Sequence, residues 1–150
     1  MTDKLVNSNR KSPNVKSGTD PLSSSALKRL LVVEDNNLNR LMLDDYLTFC
    51  GYQVLSLACG ASLFEELASF QPHLILLDLR LPDVDGYLLL EKLQLNPKWQ
   101  NIPVIIVSAF AFKSDRQRAF NLGARQYFIK PVNLNDLKQA IAQELTNQSN

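Results

Sequence analysis

Five short apolar runs alternating with five helical segments predict a doubly wound α/β domain, with a five-stranded parallel sheet covered on both faces. Three observations carry this. The runs Leu30-Leu31-Val32-Val33, Leu74-Ile75-Leu76-Leu77 and Val104-Ile105-Ile106-Val107 are continuous rather than alternating, which is the pattern of strands buried on both sides. Each run is followed by residues at helical spacing, as right-handed βαβ crossovers require. Gly and Pro fall between the segments, where turns belong.

The elements follow in order. Residues 30–33 form the first strand and end in Glu34 and Asp35. Leu38, Leu41, Met42, Tyr46 and Phe49 recur at helical spacing and mark the apolar stripe of a first helix, which Gly51 closes. Tyr52 to Leu57 is a short second strand. Leu63, Phe64 and Leu67 mark a second helix that stops before Pro72. Residues 74–77 form the third strand, ending in Asp78, and Tyr87 to Leu95 the third helix. Residues 104–107 form the fourth strand, ending in Ser108. Ser114 and Gln117 suggest a capping box for a fourth helix, with Gly123 at its C-terminal cap. Tyr127, Phe128 and Ile129 make the fifth strand, ending in Lys130 and Pro131. Asn133 caps a last helix whose stripe is Leu134, Leu137 and Ile141.

The ordered domain is expected over residues 27–146, one core's worth of a 150-residue chain. Residues 1–26 are rich in Ser, Asn, Lys and Pro without apolar periodicity, and are expected to be a disordered tail. Its basic residues Lys4, Arg10, Lys11 and Lys16 suit a solvated segment or an acidic partner. Residues 147–150 are a short C-terminal tail, too short for an effector module. With 21% charged residues and a formal net charge of +1, no electrostatic argument favours nucleic acid or an anionic membrane. No apolar run is long enough to span a bilayer and no signal-peptide core is visible, so a cytoplasmic protein is expected. Cys50 and Cys59 lie outside zinc or redox spacing and read as small buried hydrophobes.

In a doubly wound sheet, chemistry gathers beyond the carboxyl ends of the strands. That rule brings Glu34, Asp35, Asp78, Ser108 and Lys130 to one edge. Each has a plain alternative: acids at a helix start, a turn residue before Pro82, a loop hydroxyl, a solvated lysine. Together they are harder to dismiss. Two unit charges about 4 Å apart repel by about 4 kcal/mol at a surface-like dielectric, and a divalent cation relieves that repulsion. Oxygen ligands with no His or Cys nearby indicate magnesium rather than zinc.

The segments Val33-Glu34-Asp35-Asn36, Leu77-Asp78-Leu79-Arg80-Leu81-Pro82-Asp83-Val84-Asp85-Gly86, residues 102–109, and Tyr127-Phe128-Ile129-Lys130-Pro131 together resemble the signature of the response-regulator receiver (CheY-like) family. The Asp35-Asn36-Asn37 turn with Asn39-Arg40, and the stretch from Ser108 to Ala111, look most like stand-alone DivK-type or hybrid-kinase receivers. The resemblance implies a (βα)5 flavodoxin-like fold with strand order 2-1-3-4-5. It implies that Asp78 accepts a phosphoryl group, with Lys130 and Ser108 completing the catalytic set. It implies magnesium held by Glu34, Asp35, Asp78 and the backbone carbonyl of Arg80. It makes Ser108 and Tyr127 the switch pair and the Lys130–Pro131 bond cis.

By the same resemblance, the function implied is a stand-alone response regulator of a two-component or phosphorelay system, not an enzyme in its own right but a phospho-acceptor that assists its own chemistry. The donor would be phosphohistidine on a sensor histidine kinase or phosphotransfer protein. The readout would be a surface on the fourth helix, fifth strand and fifth helix that binds a target or homodimerises. Lys113, Arg116, Gln117, Phe120 and Tyr127 are its candidate residues. Arg80 and Phe110 flank the acceptor and are expected to tune the lifetime of the acyl phosphate. Two alternatives remain: an intermediate receiver passing phosphate onward, and a flavodoxin-like redox carrier, which Glu34 and Asp35 disfavour by repelling a cofactor phosphate. The single histidine, His73, reads as structural.

Overall fold

The computed structural model describes residues 27–148; the expected N-terminal tail lies outside the described residues. The strands are β1 (Arg29–Val33), β2 (Gln53–Leu57), β3 (Leu74–Leu77), β4 (Val104–Ser108) and β5 (Gln126–Ile129). The helices are α1 (Asn37–Phe49), α2 (Leu63–Phe70), α3 (Gly86–Leu95), α4 (Lys113–Asn121) and α5 (Leu134–Gln148). All strand pairs are parallel, in the order β2-β1-β3-β4-β5. The three continuous apolar runs are the three central strands, and their residues are almost wholly buried. The edge strands β2 and β5 are only half-buried.

Alternation along each strand divides the core in two. Leu31, Val33, Ile75, Leu77 and Ile106 face α2 and α3, meeting Leu63, Leu67, Leu90 and Leu93. Leu30, Val32, Leu74, Leu76, Ile105 and Val107 face α1 and α5, meeting Leu43, Leu47, Leu137 and Ile141. Each core is built mainly from branched aliphatic side chains. At about 1.5–3 kcal/mol per fully buried large side chain, this burial is the main term holding the sheet between its helices.

Helix ends follow local chemistry. Asn36 Oδ1 accepts the Asn39 N–H at 2.9 Å and starts α1. Gly51, at φ +100°, ends it in a Schellman turn, with Gly51 N–H on the Thr48 carbonyl and Tyr52 N–H on the Leu47 carbonyl. Gly123, at φ +104°, closes α4 in the same way, through Phe120 and Ala119. Asn133 Oδ1 caps α5 by accepting the Asp136 N–H at 3.0 Å.

Three sequence readings change. The apolar stripe assigned to α1 is not its buried face: Leu38, Leu41, Met42 and Phe49 are exposed, at 77%, 60%, 43% and 87%, while Leu43 and Leu47 are buried. Two interleaved apolar sets share this helix, and spacing alone does not say which one meets the sheet. The Ser114–Gln117 capping box does not form, because the helix starts two residues earlier than that box requires. Phe112 is the cap position, and Asp115 Oδ2 accepts its backbone N–H at 3.1 Å. Cys50 and Cys59 are only partly buried, because both sit in connections rather than in core-facing elements.

Candidate functional site

The carboxyl ends of β1, β3, β4 and β5 each deliver one side chain to a shared edge. Glu34 follows β1, Asp78 follows β3, Ser108 ends β4 and Lys130 follows β5. Glu34, Asp78 and Ser108 are 1%, 3% and 0% exposed, whereas Asp35 faces solvent. Carboxylate oxygens of Glu34, Asp35 and Asp78 lie within 4.8 Å of one another. A cleft of about 410 Å³ opens over Asp35 and Asp78, lined also by Asn39, Arg80, Ala109 and Lys130.

The Lys130 ammonium bridges the two buried acids, 2.8 Å from Asp78 Oδ2 and 2.8 Å from Glu34 Oε1. The second oxygen of each acid is held by backbone. Asp78 Oδ1 accepts the Arg80 N–H at 3.0 Å, and Glu34 Oε2 accepts the Asn36 N–H at 3.0 Å. Burial pushes the Glu34 carboxyl above its ordinary range, despite the opposing bond from Lys130. Burial works against the Lys130 charge as well, but its bonds to Asp78 and Glu34 outweigh that and raise its pKa. One ammonium among three carboxylates leaves excess negative charge at a partly buried edge. The donors are all oxygen, and among the described residues no His or Cys joins the cluster. That set fits a hard divalent cation.

Beside this charged cluster lies an aromatic one. Ser108 Oγ accepts the Phe110 N–H at 3.1 Å. The Tyr127 hydroxyl donates to the Phe110 carbonyl at 2.9 Å. The Phe110 ring stacks on Tyr87, with centroids 6.4 Å apart and planes at 14°. Tyr87 is buried, its hydroxyl sits 3.3 Å from the Asp115 carbonyl, and the Arg118 guanidinium lies 3.9 Å over its ring. Burial and the Asp115 charge push the Tyr87 pKa up to about 12.

The structure thus brings together Glu34, Asp35, Asp78, Ser108 and Lys130, with the Tyr127 hydroxyl beside Ser108 and bonded to the Phe110 carbonyl. The Lys130–Pro131 peptide bond is cis. Arg80 is exposed, lines the cleft and bonds Asp78 through its backbone N–H. His73 is structural, its Nδ1 accepting the Arg29 N–H at 2.9 Å. Sequence reasoning missed three participants. Asp83 ties the β3–α3 loop to the β2–α2 loop by accepting the N–H groups of Gly60 and Ala61 at 3.0 and 2.8 Å. Gly86 is needed because an added Cβ would fall 2.4 Å from the Leu79 Cα, directly behind Asp78. Arg40 folds back onto the β1–α1 loop. Only the Asp85-Gly86 pair carried a recognisable signal, that of a helix start.

Comparison with known proteins agrees with this geometry. Residues 30–142 match the response regulator receiver domain family. The polar-differentiation response regulator DivK of Brucella ovis is 34% identical over 107 residues, covering 71% of this chain and 87% of that protein. The crystal structure of a CheY-like receiver domain protein from Methanospirillum hungatei superposes with a TM-score of 0.76 at 33% identity, covering 83% of this chain and 98% of the other. The receiver domain of the sensor histidine kinase PA1611 from Pseudomonas aeruginosa, solved with a magnesium ion coordinated in its active-site cleft, superposes at 0.73 with 27% identity, covering 81% and 99%. No helix among the described residues is long and apolar enough to cross a membrane.

Proposed function

The chain belongs to the response regulator receiver family of two-component signalling, and from that premise we propose that Asp78 is its phosphoryl acceptor and that it acts as a stand-alone DivK-like regulator. The observation that carries the reading is the Lys130 ammonium 2.8 Å from both Asp78 and Glu34, on a buried edge that opens to the cleft. An Asp78 oxygen attacks phosphorus in line. A P–O bond forms as the P–N bond to a phosphohistidine imidazole breaks, and the imidazole leaves. Lys130 is placed to leave the carboxylate for a phosphoryl oxygen, and the Ser108 hydroxyl, now held by the Phe110 N–H, can donate to another. The Arg80 N–H fixes the rotation of the Asp78 carboxylate and so the direction of attack.

Magnesium fits the oxygen cluster: Glu34, Asp35, Asp78 and the Arg80 carbonyl would hold it, and when bound it would neutralise charge on the phosphoryl oxygens. The donor would be a histidine kinase or a phosphotransfer protein, and the setting the cytoplasm, where such donors are made. Recruiting the Ser108 hydroxyl alters its contact with Phe110, and Phe110 is also the acceptor for Tyr127. Loss of that tie frees Tyr127 to reorient and changes the face formed by α4, β5 and α5. That face would bind a target or a second copy of the chain. Lys113, Arg116, Gln117 and Phe120 are exposed on it.

The test is incubation with magnesium and phosphoramidate, a phosphohistidine mimic, followed by intact mass. One added phosphoryl group, absent with a chelator, is expected. No addition with any nitrogen- or acyl-phosphate donor would refute the reading. Transfer back from the phosphorylated chain to a phosphotransfer protein, at a rate competing with hydrolysis, would move the assignment to an intermediate relay receiver.

A further inference from the structure

We propose that Arg40 is a positioning residue for the cation-binding loop: its guanidinium clamps the backbone of Glu34 and Asp35 so that their carboxylates meet Asp78. This rests on the magnesium-assisted reading above and adds the residue that holds the loop in place. Arg40 is the fourth residue of α1, and helical side chains lean toward the helix N-terminus. Its Nη1 donates to the Glu34 carbonyl at 2.9 Å and to the Asp35 carbonyl at 3.3 Å, while Nη2 donates to Asn37 Oδ1 at 2.6 Å. The backbone N–H of Arg40 also bonds the Asn36 carbonyl at 2.9 Å. Four consecutive residues, Glu34 to Asn37, are therefore tied to one side chain and its own backbone.

The placement is informative because local electrostatics argues against it. A cation near a helix N-terminus opposes the macrodipole, and a cation near the acidic cluster repels the metal that the cluster suits. A residue kept there for its charge alone would weaken the site. The hydrogen bonds supply a different role. The Glu34 and Asp35 carbonyls precede the helix and have no place in its ladder. A planar fork satisfies them and Asn37 together, which a lysine ammonium on a flexible stem cannot copy. With the loop held, Glu34 Oε2 stays on the Asn36 N–H and Oε1 on Lys130.

Charge and clamp predict opposite signs, so the experiment separates them. Magnesium is titrated into the metal-free full chain, followed by amide NMR shifts, for wild type, Arg40→Lys, Arg40→Gln and Asn37→Ala. The clamp predicts that both Arg40 variants raise the half-saturating magnesium concentration by about tenfold, the worth of one or two loop hydrogen bonds. Asn37→Ala, which removes only the third partner, raises it by about twofold to threefold. At saturating magnesium, the rate of phosphorylation by acetyl phosphate stays within about twofold of wild type, because the loop is then held by its ligand. In the metal-free variants the Asn36 amide exchanges its hydrogen faster. Tighter magnesium binding by Arg40→Gln would show that only charge matters and would overturn the proposal, as would unchanged binding in both Arg40 variants. A wild type that binds no magnesium and takes no phosphoryl group would instead overturn the function on which the proposal rests.

Discussion

The edge beyond the strands holds two neighbouring clusters built on opposite principles. Around Asp78, the polar atoms are charged, buried and cross-bonded at 2.8–3.0 Å, with every carboxylate oxygen of Asp78 and Glu34 already held. Around Tyr127, contacts are aromatic and longer, with ring centroids 6.4 Å apart for both the Tyr87–Phe110 and Phe120–Tyr127 pairs. The first cluster is costly to disturb, because breaking a buried ion pair leaves a charge without a partner. The second rests on single hydrogen bonds and ring contacts worth about 1 kcal/mol each. A site that held chemistry still while letting a surface move would use this contrast. Ser108 joins the two: its carbonyl accepts the Lys130 N–H at 2.9 Å and its hydroxyl accepts the Phe110 N–H.

The largest effect is expected at the charged cluster. Asp78→Asn should abolish phosphoryl gain by intact mass while leaving the fold in place, since the amide keeps an oxygen for the Arg80 N–H. Next, Lys130→Met should lower unfolding free energy by about 3 kcal/mol in metal-free urea titrations, by stranding two buried acids. Magnesium should restore part of that loss in the variant. A loss below about 1 kcal/mol, the size of a surface ion pair, would show the two clusters to be equally soft.

Smaller effects are expected in the aromatic cluster. Tyr127→Phe removes the bond to the Phe110 carbonyl and should cost about 1 kcal/mol of stability, with little change in phosphorylation rate. A rate falling in proportion would mean that Tyr127 belongs with the acceptor rather than the readout. Arg118→Ala removes the cation from the face of Tyr87 and should cost about 0.5–1 kcal/mol, read from the denaturation midpoint. The smallest effect lies far from both clusters. Burial, then the charges of Arg29 and Lys28, hold the His73 pKa below its ordinary value. Below about pH 6.5 the unfolded chain binds a proton that the folded chain resists. Stability should therefore be complete above that pH and decline as pH falls through it, and His73→Gln should flatten that slope.

Much of the fold was legible because burial on two faces leaves a continuous apolar signature, which singled out β1, β3 and β4 directly. The strand-end rule then puts Glu34, Asp35, Asp78, Ser108 and Lys130 on one edge. What stayed illegible depended on rotation and reach. The buried face of α1 was misread because Leu38, Leu41 and Phe49 match helical spacing as well as Leu43 and Leu47 do. The start of α4 was misread because Ser114 and Gln117 fit a capping pattern that Asp115 fills two residues upstream. The roles of Arg40 and Asp83 rest on side chains bonding to backbone atoms of loops, and no periodicity encodes such contacts.

If Asp78 is the phosphoryl acceptor, its buried carboxylate becomes an acyl phosphate. After phosphorylation with magnesium present, borohydride reduction converts an aspartyl phosphate to homoserine, which peptide mass mapping locates. Homoserine is expected at position 78 alone, and none when magnesium is chelated before the donor is added. Homoserine at position 35, or at no position in a chain that has gained a phosphoryl group, would contradict it.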